Sequence, residues 1–266
     1  MSNDVNREYF VDYVCSRTRG RPSLRVLDYG CGRGATVRAL RARAVDAYGA
    51  DVFFAGMDYE DIGSDELVVQ GIIRRISPRG DVPFPDQWFD VLISDQVLEH
   101  VKDLDKAISE FGRLIKSGGV MLHHFPSLEV WREPHYNVWF SHRVHPRMRR
   151  PYLRISHEIG LGGNEPGFDE PAAWAAHVDS WLRDFCQYRR RSQLISMFAG
   201  TSRDAEIDYC RYRAHRTGHP IVLRLLAFRP LGPVYRWLFR RLAFSAIEVT
   251  APALQDRASG VVQAPD

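Results

Sequence analysis

A strand-to-helix turn that contains three glycines constrains the fold of this chain more than any other feature. The apolar residues 24–29 (LRVLDY) predict a buried strand, and residues 34–45 predict a helix. Between them, Gly30, Gly32 and Gly34 stand where the backbone must turn sharply and pass close to another group, which a side chain would block. Nucleotide-like cofactors bind at such turns. We therefore predict a cofactor site here.

The segments around this turn alternate between strand and helix patterns. Residues 4–16 predict an amphipathic helix, and residues 103–116 predict a helix closed by a Ser-Gly-Gly sequence. A second strand is predicted within residues 47–54 and ends near Asp51, and further strands are predicted at 71–76, 88–94 and 120–125. This alternation indicates an α/β fold with a mostly parallel sheet flanked by helices, whose ligand lies beyond the carboxyl ends of the strands.

The chain divides into a core and an insert. Residues 1–126 are predicted to form the cofactor-binding core, and the alternation ends after Pro126. Residues 127–180 mix Trp, His, Pro, Arg and Gly without periodicity, which suits either a lid over the substrate or an ordinary surface excursion. The remaining expectations are a return to the core over 181–251, a helix at 174–199, strands at 205–212 and 245–251, and a disordered tail at 252–266.

Composition predicts a cytoplasmic protein without metal or disulfide. Hydrophobic residues make up 45% of the 266 residues, which is enough for a packed core. The amino terminus lacks a signal-peptide pattern, and no run approaches the roughly 18 apolar residues that a membrane span needs. The four cysteines are scattered, and none is paired at a spacing typical of metal ligands or of a disulfide framework; they are Cys15, Cys31, Cys186 and Cys210.

The basic residues are clustered, although the net charge is only +3. Residues 131–154 hold six arginines and one acid, and residues 209–247 hold eight arginines and no acid. Such clusters indicate an anionic partner or surface. The segment 220–243 is apolar as well as basic, so it predicts either peripheral contact with a membrane or a pair of helices packed on the sheet.

The glycines alone do not identify the cofactor. Gly30, Gly32 and Ala35 also fit the dinucleotide fingerprint G-x-G-x-x-G/A. Asp51 follows about 20 residues later at the end of the second predicted strand, where a carboxylate would accept both ribose hydroxyls of any adenosine ligand. A solvated acid at the end of a strand is the alternative for Asp51.

Residues 80–119 favour one cofactor. The segment contains PFPDQWFD at 83–90, VLEHV at 97–101 and RLIKSGG at 113–119. Together with VLDYGCGRG at 26–34, these motifs resemble, in order, those of class I (Rossmann-like) S-adenosylmethionine-dependent methyltransferases. The resemblance covers roughly residues 24–125, and no Tyr-x-x-x-Lys pair supports a dehydrogenase.

The resemblance implies a class I methyltransferase fold with an insert after the fifth strand and S-adenosyl-L-methionine as cofactor. It places the three glycines against the methionine and ribose portions of the cofactor, and Asp28 beside the methionine ammonium. Asp95 and Gln96 would face the cofactor from the loop after the fourth strand. The sequence departs from the family at the adenine contact, where Pro78 stands close to the usual aspartate, so Asp81 or the hydroxyl of Ser77 is the candidate.

Histidines are the candidate catalytic residues, because an oxygen or nitrogen acceptor gains from a general base with a pKa near neutrality. His124, with His123 beside it, ends the fifth predicted strand, and His135 lies near Glu133 in the insert. His100 belongs to the VLEHV motif, where holding the loop by hydrogen bonds is the alternative. The predicted catalytic set is His100, His124 and His135.

These observations predict a methyltransferase that acts on an oxygen or nitrogen of a small-molecule, glycan or lipid-linked acceptor. The arginines and aromatic residues at 131–150 would suit an anionic acceptor. Nucleic acid is not expected as a partner, since no nucleic-acid-binding module is present. The alternative is a non-catalytic cofactor-binding or membrane-associated interaction protein with the same fold.

Overall fold

The protein alternates strands and helices over most of its length. The computed structural model describes residues 2–18, 23–53, 61–162, 168, 170–198, 234, 237, 238, 241 and 245–250. Its helices are α1 (Ser2–Thr18), α2 (Ala35–Arg41), α3 (Glu66–Val69), α4 (Leu104–Leu114), α5 (Pro146–Glu158), α6 (Pro171–Phe185) and α7 (Arg191–Phe198). Its strands are β1 (Arg25–Tyr29), β2 (Asp46–Asp51), β3 (Ile73–Arg75), β4 (Phe89–Asp95), β5 (Ile115–Phe125) and β6 (Ser245–Thr250).

These strands form one sheet in the order β3-β2-β1-β4-β5-β6. Strands β1 to β5 pair in parallel, and β6 pairs antiparallel with β5. The chain moves outward from β1 to β3 and then returns to the other side of β1, so the strand order reverses between β1 and β4. In open α/β sheets, ligands bind at the carboxyl ends of the strands beside such a reversal. The predicted α/β fold with a mostly parallel sheet is confirmed.

Apolar side chains cover both faces of the sheet, as parallel strands require. In β1, Val26 packs on the face covered by α1 and α2, and its neighbour Leu27 packs on the face covered by α4 and α7. In β4, Ile93 and Leu92 divide between the same two faces. Two hydrophobic layers therefore hold the strand ends in fixed positions.

Some boundaries differ from the predicted ones. Helix α2 ends at Arg41 rather than at residue 45. Strand β5 begins at Ile115, directly after α4, because Ile115 pairs with Phe89 of β4. The single helix predicted at 174–199 is wrong: α6 and α7 are separated by residues 186–190.

The insert after β5 has a hydrophobic core of its own. Helices α5 and α6 pack against each other, and Leu153 of α5 is buried with Trp174 and Val178 of α6. Tyr136 and Cys186 belong to the same cluster, so the packed unit extends a few residues beyond the predicted end at residue 180. The function of the insert as a lid stays a prediction.

Several predicted segments lie outside the described residues. They are the strand at 205–212, the tail at 252–266 and most of the basic apolar segment 220–243. Within the last, Trp237 packs edge-on against Trp131 of the insert, with 5.7 Å between ring centroids. The carbonyl of Arg241 accepts a hydrogen bond of 2.7 Å from the amide of Trp131. Membrane contact stays a prediction, and among the described helices none has the length and apolarity to cross a bilayer.

Candidate active site

The glycine turn between β1 and α2 has the backbone that its sequence predicts. The φ angles of Gly30, Gly32 and Gly34 are 76°, 52° and 74°, a region that side chains disfavour. Space is also restricted, because a Cβ on Gly30 would lie 2.3 Å from Cγ2 of Val97, and one on Gly34 would lie 2.3 Å from Cδ1 of Ile73. The turn is therefore packed beneath the loop that follows β4.

Asp51, at the end of β2, holds this turn in place. Its Oδ2 accepts a 2.8 Å hydrogen bond from the amide of Gly32, and its Oδ1 accepts one of 2.8 Å from the amide of Phe53. Each carboxylate oxygen can accept a second hydrogen bond. The side chain thus lies where the sequence predicts it, with capacity left for ribose hydroxyls, and that role stays a prediction.

Three carboxylates meet at the carboxyl edge of the sheet, from the ends of β1, β2 and β4. Burial, followed by the nearby charges of Asp95 and Asp51, raises the pKa of Asp28 to about 8. Burial also raises the pKa of Asp95 to about 7, although the amide of Asn6 donates to its Oδ1 at 3.2 Å and opposes this shift. Buried carboxylates are stabilised by a cation. The pocket is therefore suited to a positively charged ligand.

Gln96 turns the chain away from β4 above this pocket. Its φ angle is 55°, which is uncommon for a residue with a side chain. The amide of Gln96 donates a 2.8 Å hydrogen bond to the carbonyl of His124 in β5, which fixes the start of the loop. Such strained backbone is frequent at functional sites.

Asp81, the candidate for the adenine contact, interacts with two neighbouring side chains. Its Oδ1 lies 2.7 Å from Nζ of Lys106 on α4, and its Oδ2 accepts a 3.1 Å hydrogen bond from the hydroxyl of Ser77. The hydrogen bond from Lys106 is the main cause that lowers the pKa of Asp81. The adenine role of Asp81 or Ser77 stays a prediction.

The structure divides the predicted catalytic histidines into two places. His124 is buried between Tyr9 and Phe10 of α1, and burial lowers its pKa to about 3. His123 points to the opposite face, where it bonds to the hydroxyl of Ser94, and burial lowers its pKa to about 3 as well. Nδ1 of His124 lies 3.8 Å from Oδ1 of Asp95 in the carboxylate pocket, and the catalytic role of His124 stays a prediction.

His100 and His135 come together, with 5.1 Å between their ring centroids. Nδ1 of His100 lies 2.8 Å from the carbonyl oxygen of Phe185, and Nδ1 of His135 lies 2.6 Å from Oε1 of Glu133. Glu133 is fully buried and also accepts a hydrogen bond from the hydroxyl of Tyr188. The loop after β4 and the insert thus meet at a polar cluster, and catalysis by the two histidines stays a prediction.

Two members of this cluster, Glu99 and Cys186, are absent from the sites predicted from the sequence. Glu99 is 2% exposed, and within the described structure neither of its carboxylate oxygens has a hydrogen-bond partner. Burial raises its pKa well above the usual range. Its place in the VLEHV motif could have drawn attention to it. Cys186 joins His100 and His135 here, and the prediction of one continuous helix concealed it.

A cavity of about 280 Å³ lies next to the cluster, on the side of the insert. Its lining includes the cluster neighbours Cys186 and Tyr188, and the side chains of Arg149, Arg183 and Arg189. Asp179 also lines it and lies 3.5 Å from Arg149 and 3.4 Å from Arg183. The cavity is therefore small, and its arginines outnumber its carboxylate.

Comparison with known proteins identifies relatives along most of the chain. A family model described as a methyltransferase domain matches residues 6–203. The uncharacterized methyltransferase YcgJ of Bacillus subtilis is 25% identical over 218 residues, which cover 78% of this chain and 83% of that protein.

Two further relatives take part in quinone biosynthesis, according to their names. The ubiquinone biosynthesis O-methyltransferase of Mesorhizobium japonicum is 28% identical over 126 residues, 45% of this chain and 50% of that protein. The C-methyltransferase UbiE of Vibrio campbellii is 35% identical over 128 residues, 46% of this chain and 48% of that protein. This chain spans about half the length of both.

Solved structures with a similar fold are more distant. A geranyl diphosphate methyltransferase in complex with GPP and sinefungin has a TM-score of 0.49 at 15% identity, over 93% of this chain and 77% of that one. The structure of YcgJ has a TM-score of 0.45 at 17% identity, over 92% and 99%. Both TM-scores are below 0.5, and both identities are below 20%.

Proposed function

Because this chain belongs to the methyltransferase domain family of S-adenosylmethionine-dependent enzymes, we propose that it methylates an oxygen or nitrogen atom of a small-molecule, glycan or lipid-linked acceptor. The observation that carries the proposal is the buried set of carboxylates beside the glycine turn. S-adenosylmethionine has a sulfonium and an ammonium group at its methionine end. These positive charges would stabilise the buried carboxylates of Asp28 and Asp95.

The cofactor supplies an electrophilic methyl group on its sulfonium. The protein therefore has to bind the cofactor and the acceptor, orient them and exclude water from both. Asp51 is placed to hold ribose hydroxyls while it fixes the turn at Gly32. Helix α1 covers the same pocket, because Asn6 donates to Asp95 and the rings of Tyr9 and Phe10 pack over His124. Positioning and exclusion of water can supply several kcal/mol of the rate acceleration.

The basic cavity in the insert supports a small anionic acceptor. Its volume of about 280 Å³ is at the lower end of small-molecule sites. Arg149, Arg183 and Arg189 line one cavity, and a phosphate or carboxylate would pair with guanidinium groups in the geometry that arginine favours. Gln187 and Tyr188 also line it and offer hydrogen bonds that would orient a hydroxyl or an amine. We place this acceptor in the cytoplasm or at the inner surface of the membrane.

The acceptor atom can be determined with labelled cofactor. The purified protein is incubated with S-adenosylmethionine carrying a ¹³C methyl group and with a metabolite extract, and the labelled products are examined by NMR. We expect a methyl resonance typical of an O-methyl or N-methyl group. The matched control is Gly32→Val, which a φ of 52° disfavours and which should abolish cofactor binding and labelling.

Two other results would contradict the proposal. A C-methyl product would assign the chain the chemistry that the name of the Vibrio campbellii relative states. Cofactor binding without any labelled product, from aqueous or lipid extracts, would support the alternative of a non-catalytic cofactor-binding protein.

A further inference from the structure

Three side chains with metal-binding atoms meet where the insert contacts the core. His100 lies in the loop after β4, His135 lies at the start of the insert, and Cys186 follows α6. One ligand atom from each, a ring nitrogen or the sulfur, lies within 4.8 Å of the other two. These residues are separated in sequence, so only the fold brings them together.

Both histidines are oriented in the way that metal-binding histidines usually are. A carbonyl oxygen only accepts hydrogen bonds, so Nδ1 of His100, 2.8 Å from the carbonyl of Phe185, carries the proton. Nδ1 of His135 lies 2.6 Å from the carboxylate of Glu133, which assigns the proton there in the same way. The Nε2 atoms keep their lone pairs. A carboxylate or carbonyl behind each ring is the usual support of histidines that bind zinc.

Glu99 adds an independent observation. Its side chain is almost completely buried, and neither carboxylate oxygen has a hydrogen-bond partner among the described residues. Its Oε1 lies 4.0 Å from Nε2 of His100. A buried carboxyl group without hydrogen-bond partners is costly, and a bound cation would offset that cost.

We propose that His100, His135, Cys186 and Glu99 form a zinc site. Two imidazole nitrogens, one thiolate and one carboxylate oxygen are a donor set that suits Zn²⁺. In tetrahedral zinc sites the ligand atoms lie about 3.3–3.8 Å apart, so the ligand atoms of His100, His135 and Cys186 move together by roughly 1 Å on binding, and Glu99, which is not within 4.8 Å of all three, moves further. The thiol of Cys186 and the carboxyl group of Glu99 lose their protons to solvent when the metal binds. The charges of the thiolate and of Glu99 then balance that of the ion.

The site would fix the insert on the core. Glu99 and His100 belong to the loop after β4, whereas His135 and Cys186 belong to the insert. As zinc ligands, the two histidines have no lone pair for a proton from the acceptor, so this inference replaces their predicted catalytic role. It does not depend on the identity of the methyl acceptor, and a failure of the proposed methyl transfer would leave it unaffected.

The test uses the full chain, stripped of metal with a chelator and then loaded with Zn²⁺ or Co²⁺. We expect one equivalent of zinc by mass spectrometry and a thiolate-to-cobalt charge-transfer band in the absorption spectrum. Cys186→Ser should abolish the band, and the matched control Cys15→Ser should keep it. His135→Gln and Glu99→Gln should each weaken zinc binding by about 10-fold or more.

Binding of S-adenosylmethionine by calorimetry shows which variants are folded, since the pocket of carboxylates contains none of the proposed ligands. Zinc content well below one equivalent in the folded wild-type protein would overturn the proposal. So would a charge-transfer band that persists in Cys186→Ser or disappears in Cys15→Ser.

Discussion

Asp28 gives the cofactor pocket a dependence on pH. Its carboxyl has a pKa of about 8, because it is buried and lies near Asp95 and Asp51. A cationic cofactor favours the ionised carboxylate, so binding below pH 8 requires loss of a proton. We expect the affinity for S-adenosylmethionine to rise by up to about tenfold per pH unit between pH 7 and 8 and to level off above.

Calorimetry between pH 6 and 9 measures this dependence. The variant Asp28→Asn lacks this titrating group, so its affinity should be lower and should change by no more than about twofold between pH 7 and 8. Asp95, with a pKa of about 7, leaves a dependence at lower pH in both proteins. An unchanged slope between pH 7 and 8 in Asp28→Asn would show that another group binds the proton.

Asp51, which accepts a hydrogen bond from the glycine turn, should contribute to the affinity for S-adenosylmethionine. Asp51→Ala removes the acceptor for the amide of Gly32 and for the ribose hydroxyls, and we expect a loss of about 1–3 kcal/mol in the free energy of cofactor binding. Calorimetry with S-adenosylmethionine measures it. Asp46→Ala, at the far end of the same strand, is the control and should bind normally. Equal affinities of the two variants would limit Asp51 to holding the turn through its hydrogen bonds to Gly32 and Phe53.

At the scale of elements, Arg113 connects α4 to the loop before β4. Its guanidinium donates hydrogen bonds of 2.8 Å to the carbonyls of Val82 and Phe84, and it pairs with Glu110 at 2.7 Å. Arg113→Met removes this donor from both carbonyls and from Glu110, although the carbonyl of Val82 keeps a hydrogen bond from the amide of Phe84. We expect the free energy of unfolding to fall by about 1–3 kcal/mol, measured by urea denaturation.

Arg154→Met is the matched control for this experiment. Arg154 pairs with Glu158 on the exposed surface of α5, where ion pairs contribute little. The control should change the free energy of unfolding by less than about 0.5 kcal/mol. If both variants lose the same amount, the network around Arg113 has no special role in stability.

The connection between α6 and α7 shows where prediction from local sequence fails. Residues 186–190 contain no glycine or proline, so nothing local ends the helix predicted at 174–199. The break follows from contacts with a distant loop. The amide of Gln187 donates to the carbonyl of Glu99, and Arg189 donates to the carbonyls of Leu98 and Val101.

For the whole molecule, the parallel sheet and the cofactor turn could be predicted from the sequence, and the contacts of the insert could not. Asp51 follows the turn at Gly30 by about 20 residues, which is the length that a β-α-β unit requires between these two positions. The parallel sheet likewise follows from local alternation. By contrast, His135 and Cys186 are brought to His100 by the packing of α5 and α6, which has no repeat or motif in the sequence. Such contacts are visible only in three dimensions.

The basic apolar segment 220–243 carries the prediction of membrane contact. Arginines among apolar residues bind anionic lipid with roughly 1 kcal/mol for each cation near the surface. We expect more protein to co-sediment with vesicles of anionic lipid than with neutral vesicles at low salt, and the difference to vanish at high salt. Equal sedimentation with both lipids would favour packing of the segment on the protein.

Strand β6 matters for the order in which the protein can fold during synthesis. β6 pairs along the outer edge of β5, yet it leaves the ribosome more than a hundred residues later. Until then, the backbone groups of β5 on that side have no β6 partner, and an open strand edge invites pairing with other chains. The nascent chain would therefore depend on chaperones at this stage, and a truncation before Ser245 should make the protein prone to aggregation.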